Sequence, residues 1–155
     1  MPAERAAGAE QYNAYVEALR VRELELYFAR LAEQLDGAID LECRLVRDFT
    51  NYAIRPHTDS GRKLVSLLFY LPPDASTRHL GTSIYLPKDP GFVSDGSEHL
   101  RPEGFLHVAR MDYVPNALFA FVRTDFSFHG VEPIPDQDFK RDLMLYDVRV
   151  NGTSR

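Results

Sequence analysis

The sequence places two histidines and one carboxylate where they could bind a metal ion together. His57 and Asp59 stand two positions apart in IRPHTDSG, and His129 stands far downstream in FSFHGVEPI. Side chains two apart in an extended strand point to the same face, so His57 and Asp59 can offer an imidazole and a carboxylate to one ion. Each motif alone is more often a surface pair or a packed histidine. Taken together, they match the two-His, one-carboxylate set that leaves open positions on Fe(II).

One arginine, Arg141, is a candidate for binding an anion. Arg141 begins the run RDLMLYDV, where Leu143 and Leu145 share its face under period-two alternation. An arginine at the head of an apolar, inward face is unfavourable unless it meets an anion. Its planar guanidinium suits a bidentate contact with a carboxylate. We therefore predict that Arg141 meets an anion, with the adjacent Lys140 as the competing cation.

The elements that must position these residues are predicted to be one helix followed by strands. From about 10 to 36, apolar residues recur with helical spacing, and Gly37 supplies the end of the helix. Short apolar runs separated by Pro, Gly, Asp and Asn then predict eight strands. They lie near 39–48, 51–57, 63–71, 82–87, 105–111, 117–123, 127–134 and 141–150. This pattern predicts a mostly β protein, a sandwich or barrel, with the N-terminal helix packed outside.

Alternation also predicts which side chains face the interior. In KLVSLLFYLP, one face carries Ser66, Leu68 and Tyr70, and this mixed face is suited to line a pocket. The opposite face of that strand is wholly apolar and is expected to pack on the helix. In the strand that holds His129, the same alternation places Phe128 outside. Cys43 is interpreted as a small core residue.

The segment from Lys88 to Gly104 interrupts the regular pattern. It contains four Gly or Pro residues in its first nine positions and has little periodicity. Compact domains rarely contain an unstructured loop of this length unless it is a lid, a binding loop or disordered. We predict a mobile lid at the mouth of the site, with a tolerated surface insertion as the equally weighted alternative.

Composition and charge narrow the class of protein. The chain has 155 residues, which predicts a single domain over 1–155, with the β-barrel over about 39–150. Its net charge of -5 gives no basic footprint for nucleic acid or an anionic membrane, so neither is expected as a partner. The apolar runs are far shorter than the ~20 residues of a membrane span. No signal-peptide pattern stands at the N-terminus, which favours the cytoplasm. The single cysteine excludes an intrachain disulfide.

In the order of its motifs the sequence resembles the Fe(II)/2-oxoglutarate-dependent dioxygenases, in particular their prolyl-hydroxylase-like branch. The motifs are the H-T-D at 57–59, the strand end Y-L-P at 70–72, LGTSIYLPK at 80–88, FHGVEPI at 128–134 and the Arg-led strand from 141. They span roughly two thirds of the chain, and their common order is far more specific than any one of them.

The resemblance implies a double-stranded β-helix, that is, a jelly-roll or cupin-like barrel. It implies Fe(II) on His57, Asp59 and His129, and 2-oxoglutarate bound by Arg141 with help from the Tyr70 hydroxyl. With O₂ as co-reactant, the implied reaction is hydroxylation of a C–H bond with release of succinate and CO₂. The resemblance assigns no catalytic residue beyond the metal ligands. The substrate could be a small molecule, a carrier-bound intermediate or a protein side chain, and the alternative is a non-catalytic barrel of the same fold that binds a metal or a ligand.

Overall fold

The structure, a computed structural model, describes residues 39–49, 51–133 and 140–150. Within these ranges the chain forms eight strands and two short 3-10 turns. The strands are β1 Ile39–Asp48, β2 Ile54–His57, β3 Lys63–Tyr70, β4 Ser83–Pro87, β5 Phe105–Arg110, β6 Leu118–Val122, β7 His129–Val131 and β8 Arg141–Val150, and the turns are Arg78–Leu80 and Pro102–Gly104. All eight predicted strands are confirmed. The helix predicted over about 10–36 lies outside the described residues.

The strands form two antiparallel sheets of four. The first sheet has the order β1-β8-β3-β6 and the second has the order β2-β7-β4-β5. Apart from β4 and β5, consecutive strands lie in different sheets, an arrangement consistent with a jelly-roll-like fold of eight strands. Among the described residues the two sheets stay distinct and do not close into one barrel, so the structure agrees with the sandwich form of the predicted fold. No helix in the described ranges has the length and apolar character needed to cross a membrane.

Each sheet carries its own cluster of buried side chains, and an aromatic contact joins the two sheets. One core cluster consists of Tyr70, Leu80, Tyr113 and Leu143, and a second consists of Tyr85, Phe105 and Phe128. As alternation predicts, Ser66 and Tyr70 lie on the buried face of β3, with exposed fractions of 3% and 2%. Phe121 of β6 packs on His129 of β7, with ring centroids 4.5 Å apart. The metal-binding candidates therefore lie on the buried side of the second sheet.

The opposite face of the first sheet carries three apolar rows that cross all four strands. The ladders align three rows across β1, β8, β3 and β6, namely Leu41–Val148–Val65–Val122, Cys43–Tyr146–Leu67–Ala120 and Leu45–Met144–Phe69–Leu118. Leu45 is 78% exposed and Cys43 is exposed as well. The interpretation of Cys43 as a core residue is therefore wrong, because it lies on this outer face.

Phe128 departs from the alternation that was predicted for it. Its side chain is 1% exposed and its ring centroid lies 4.9 Å from that of Phe105. A turn explains the difference, since the Ser127 hydroxyl donates to the Thr124 carbonyl and accepts the Thr124 N–H. Strand β7 begins only at His129, so the period of two does not extend back to Phe128.

Candidate metal centre

His57, Asp59 and His129 come together at the junction of β2 and β7. One ligand atom from each residue can be chosen so that all three lie within 4.8 Å of one another. His57 is the last residue of β2 and pairs directly with His129, the first residue of β7. Asp59 follows β2 after one residue and is 8% exposed. The structure thus brings together the three residues that the sequence singled out as metal ligands.

A bulge in β2 creates this pairing. Ile54 pairs with Val131 and His57 pairs with His129, so β2 uses one residue more than β7 over the same stretch. An extra residue bends a strand and re-aims its side chains. Gly130 allows the close approach, because a Cβ there would lie 2.5 Å from the Ile54 carbonyl oxygen. The glycine of FHGVEPI therefore has a direct role in setting His57 opposite His129.

Both imidazoles have the same ring nitrogen bound to a backbone carbonyl. Nδ1 of His57 lies 3.0 Å from the Arg55 carbonyl oxygen, and Nδ1 of His129 lies 2.9 Å from the Ser127 carbonyl oxygen. A carbonyl oxygen only accepts, so each Nδ1 carries the hydrogen and each Nε2 keeps its lone pair. A backbone carbonyl on the second nitrogen is the usual way to fix a metal-binding histidine.

The protonation states suit metal binding. Burial lowers the pKa of His57 to about 4, with further lowering by the nearby His129. Burial also lowers the pKa of His129, although Asp59 opposes that shift. Burial alone would raise the pKa of Asp59, but the nearby His129 and Lys63 and the hydrogen bond from Ser66 outweigh it, so that the pKa is lowered. At neutral pH the set is two neutral imidazoles and one carboxylate, which is the form that binds a divalent cation.

Two side chains of β3 hold Asp59 in place. The Ser66 hydroxyl donates to Asp59 Oδ2 over 2.6 Å, and the Lys63 ammonium donates to Oδ1 over 3.0 Å. Lys63 also lies 3.1 Å from Oδ1 of the buried Asp147, so it bridges two carboxylates. A carboxylate has about four lone-pair positions, so Asp59 retains acceptor capacity for a metal. A register shift between Lys63 and Val65 in β3 accompanies the inward position of Lys63.

The segment 88–104 lies against the metal centre. The Leu100 N–H donates to the Pro56 carbonyl over 2.8 Å, and the Thr58 hydroxyl donates to the Ser94 carbonyl over 3.1 Å. The ring of His99 lies 4.6 Å from the ring of His57 between centroids. Gly96 has a φ of +84°, and a Cβ there would lie 2.0 Å from the Asp59 carbonyl oxygen. The segment is therefore packed on both sides of the H-T-D motif.

Arg141 is buried and already has an anionic partner. Its side chain is 4% exposed, and Nη1 donates to Asp48 Oδ2 over 2.6 Å. Nε donates to the Leu80 carbonyl over 2.6 Å, and Nη2 donates to Thr82 Oγ1 over 3.3 Å. Burial raises the pKa of Asp48, and the attraction of Arg141 offsets that shift only in part. The predicted anion at Arg141 is thus a carboxylate of the chain itself.

Tyr70 belongs to the same cluster as Arg141. Its hydroxyl donates to Thr82 Oγ1 over 2.9 Å and accepts the Thr82 N–H over 3.1 Å. The guanidinium carbon of Arg141 lies 5.9 Å from the centre of the Tyr70 ring. Gly81 permits this geometry, since a Cβ there would lie 1.6 Å from the Met111 carbonyl oxygen. Lys140, the competing cation of the sequence analysis, is exposed.

Sequence reasoning missed four residues around the two clusters. They are Asp48 beside Arg141, Lys63 and Asp147 beside Asp59, and His99 beside His57. His99 stands in the segment predicted to cover the site, and Lys63 is only four residues from Asp59. Asp48 and Asp147 come from strands distant in sequence, and no local motif marks them.

Comparisons with known proteins give structural neighbours only. No family model matches the chain, and no curated protein matches it. A prolyl-4-hydroxylase from Pseudomonas putida is similar with a TM-score of 0.48 and 22% identity, over 75% of this chain and 55% of that chain. HygX from Streptomyces hygroscopicus, solved with nickel and 2-oxoglutarate, is similar with a TM-score of 0.44 and 14% identity, over 93% of this chain and 77% of that chain. This chain therefore spans about half the length of the prolyl-4-hydroxylase.

Proposed function

We propose that this protein is a non-haem Fe(II)- and 2-oxoglutarate-dependent dioxygenase with a double-stranded β-helix fold. The proposed reaction converts a substrate C–H bond, 2-oxoglutarate and O₂ into a C–OH group, succinate and CO₂. One oxygen atom of O₂ enters the product and the other enters succinate. Two electrons come from the C–H bond and two from the oxidative decarboxylation of 2-oxoglutarate, which together reduce O₂ fully.

The observation that carries the proposal is the convergence of His57, Asp59 and His129. One ring nitrogen from each histidine and a carboxylate oxygen, all within 4.8 Å of one another, form a donor set of the kind used by non-haem Fe(II) oxygenases. Mg²⁺ and Ca²⁺ prefer sites built from oxygen ligands, and such sites do not use a pair of imidazoles. The donors present in this chain therefore fit the proposed metal.

The chain's own side chains would orient the reactants and exclude water. Lys63 and Ser66 fix the Asp59 carboxylate, and the Arg55 and Ser127 carbonyls fix the two imidazoles. Arg141 is the proposed anchor for the distal carboxylate of 2-oxoglutarate, with the Tyr70 hydroxyl beside it through Thr82. The bound metal and 2-oxoglutarate would supply the oxidising chemistry, whereas the protein supplies position and shielding.

The segment 88–104 is the proposed lid. Its contacts with Pro56, Thr58 and the ring of His57 already connect it to the H-T-D motif. Closure over an oxidising centre would keep water away from the reaction, which is a common use of gating loops.

The proposed substrates share an oxidisable C–H bond, and their class is open among small molecules, carrier-bound intermediates and protein side chains. Nucleic acid is the least favoured class, because the net charge of -5 provides no basic surface for a phosphate backbone.

The test measures 2-oxoglutarate turnover against substrate. Protein loaded with Fe(II) and 2-oxoglutarate under nitrogen is mixed with candidate substrates of each class and then exposed to O₂. We expect one substrate class to raise succinate formation, with one product molecule per succinate. His129→Ala is the matched control and should form neither. If the wild-type protein binds neither Fe(II) nor 2-oxoglutarate, the proposal is wrong.

A second candidate function rests on the Asp48–Arg141 pair. Because Arg141 is neutralised by an internal carboxylate, the same fold could bind a metal at His57, Asp59 and His129 without binding 2-oxoglutarate. This non-catalytic metal-binding protein would take up Fe(II) or Mn(II) tightly, and added 2-oxoglutarate would change neither its metal affinity nor its thermal stability.

A further inference from the structure

The pair formed by Asp48 and Arg141 joins two neighbouring strands of the first sheet. Asp48 is the last residue of β1, Arg141 is the first residue of β8, and the two are register partners. Both side chains are 4% exposed, and Oδ2 lies 2.6 Å from Nη1. Of the five guanidinium N–H bonds, three have acceptors among the described residues, and one of these is the Asp48 carboxylate. The internal pair therefore occupies part of the group that is proposed to bind 2-oxoglutarate.

A second carboxylate at Arg141 would meet an unfavourable field. With Asp48 ionised, the pair has no net charge, so an incoming anion is attracted less than it would be by a lone guanidinium. The incoming carboxylate would also lie near a like charge in a buried place, where screening by water is weak. An anion that binds there must displace the Asp48 carboxylate, remain beside its charge, or bind together with a proton on Asp48. Each of these costs free energy and lowers the affinity for the anion.

We propose that Asp48 is an internal competitor for Arg141 that sets the affinity of the site for the distal carboxylate of its cosubstrate. The inference rests on the proposed function and adds a residue that determines cosubstrate affinity. Asp48 acts through Arg141 and touches no reacting atom, so it is a positioning residue.

The test is calorimetric binding of 2-oxoglutarate to protein loaded with Mn(II) under nitrogen. Asp48→Asn keeps an oxygen that can accept from Nη1 and removes the charge. We expect this variant to bind 2-oxoglutarate about tenfold more tightly, which corresponds to about 1.4 kcal/mol. 2-Oxopentanoate has the same chelating end and no distal carboxylate, so its affinity should be the same in both proteins. If Asp48 had a merely structural role, Asp48→Asn would change the affinities for both ligands alike.

The chain offers a matched control one residue along each strand. Arg47 and Asp142 are the next register partners, and their side chains pair over 2.7 Å in an exposed position on the other face of the sheet. Asp142→Asn changes the net charge of the protein by the same amount as Asp48→Asn. It should leave the affinity for 2-oxoglutarate unchanged, and equal tightening in both variants would overturn the proposal in favour of a general charge effect.

Further outcomes separate this inference from the proposed function. If wild-type protein binds 2-oxoglutarate, Arg141→Gln abolishes binding and Asp48→Asn does not tighten it, the inference is wrong and the proposed function stands. If Arg141→Gln binds as well as the wild type, Arg141 is not the anchor and the inference is again wrong. Binding by Asp48→Asn alone would support the inference in its strongest form. If neither the wild type nor Asp48→Asn binds 2-oxoglutarate, both proposals are wrong.

Loss of the buried partner could also prevent folding. In that case Asp48→Ser, a second neutral polar variant, replaces Asp48→Asn in the same titrations. If both variants are unfolded alone, refolding on addition of Mn(II) and 2-oxoglutarate, but not of Mn(II) and 2-oxopentanoate, supports the proposal. Failure of 2-oxoglutarate to restore either variant counts against it.

Discussion

His57 and His129 are direct cross-strand partners, with ring centroids 4.3 Å apart and ring planes tilted by 50°. The backbone ladder of β2 and β7 sets the distance between them, and each ring is fixed by a hydrogen bond to a carbonyl two residues before it. The two Nε2 atoms are therefore arranged before any metal arrives, and little side-chain freedom would be lost on binding.

Removing either histidine should abolish tight metal binding. We expect His57→Ala and His129→Ala to lose Mn(II) affinity while retaining the far-ultraviolet circular dichroism of the wild type, because two remaining ligands no longer form the triad. His79→Ala is the control, since His79 is exposed and does not belong to the cluster. Calorimetry with unchanged Mn(II) affinity in both ligand variants would contradict the site.

Ser66→Ala should weaken metal binding without removing a ligand. The Ser66 hydroxyl holds Asp59 Oδ2 at 2.6 Å, and loss of such an outer partner typically costs about 10–100-fold in metal affinity. Ser76→Ala, on an exposed turn, is the comparison variant. Mn(II) titration of the two variants side by side gives the answer, and equal affinities would mean that Ser66 does not orient Asp59.

Tyr70→Phe should weaken 2-oxoglutarate binding and leave Mn(II) binding intact. The hydroxyl makes two buried hydrogen bonds with Thr82, which itself accepts from Arg141. The variant leaves the Thr82 N–H without its acceptor, which should also cost about 1–3 kcal/mol of stability. Urea unfolding measures the loss of stability, and calorimetry measures 2-oxoglutarate binding. If the variant binds 2-oxoglutarate as well as the wild type does, Tyr70 does not help to anchor it.

Arg141→Gln should change how stability depends on pH. Burial already raises the pKa of Asp48, and removing Arg141 takes away the charge that opposes the shift. A carboxyl with a raised pKa in the folded state stabilises the fold below its unfolded-state pKa, and this stability is lost as the pH rises through the folded-state value. Asp142, Tyr52 and Tyr113, the other titratable groups that interact with Asp48, stay in place.

We therefore expect Arg141→Gln to lose more stability, relative to the wild type, at about pH 8 than at about pH 5. Urea unfolding across this range measures the difference. The double variant Arg141→Gln with Asp48→Asn has no carboxyl at position 48 and should lack the extra dependence. A pH dependence that persists in the double variant would assign it to another group.

Gly96→Ala should loosen the segment 88–104. The residue has a positive φ and its Cβ would meet the Asp59 backbone, so strain of about 1–3 kcal/mol is expected. Gly104→Ala in the same segment is the control, because a Cβ there meets nothing within 4 Å. Limited proteolysis should cut the first variant faster within 88–104 than the second. Equal cleavage rates would mean that this contact does not hold the segment.

The strands were predictable because their signals are local. β1 and β8 match their predicted bounds at both ends, since each is a ten-residue run between clear turn signals. Phe128 was misplaced because side-chain bonds between Thr124 and Ser127 replace two residues of strand with a turn. The alternation of apolar residues in the sequence gives no sign of such a hydrogen bond.

The convergence of the three candidate metal ligands was predictable from residue type and order, whereas their surroundings were not. His57, Asp59 and His129 are themselves chemically distinctive. Asp48 is separated from Arg141 by 93 residues, and only the β1–β8 register brings the two together. The inward position of Lys63 accompanies a shift in the ladder of β3 and β8, which leaves no trace in the local sequence.

Gly81 limits which substitutions the surroundings of Arg141 can accept. It stands between Leu80 and Thr82, whose oxygens both accept from Arg141, and it has no room for a Cβ against Met111. Any larger residue at this position would push two main-chain segments apart and displace both acceptors in one step. We therefore expect the surroundings of Arg141 to accept substitutions at positions 48 and 82 more readily than at position 81, where no side chain fits.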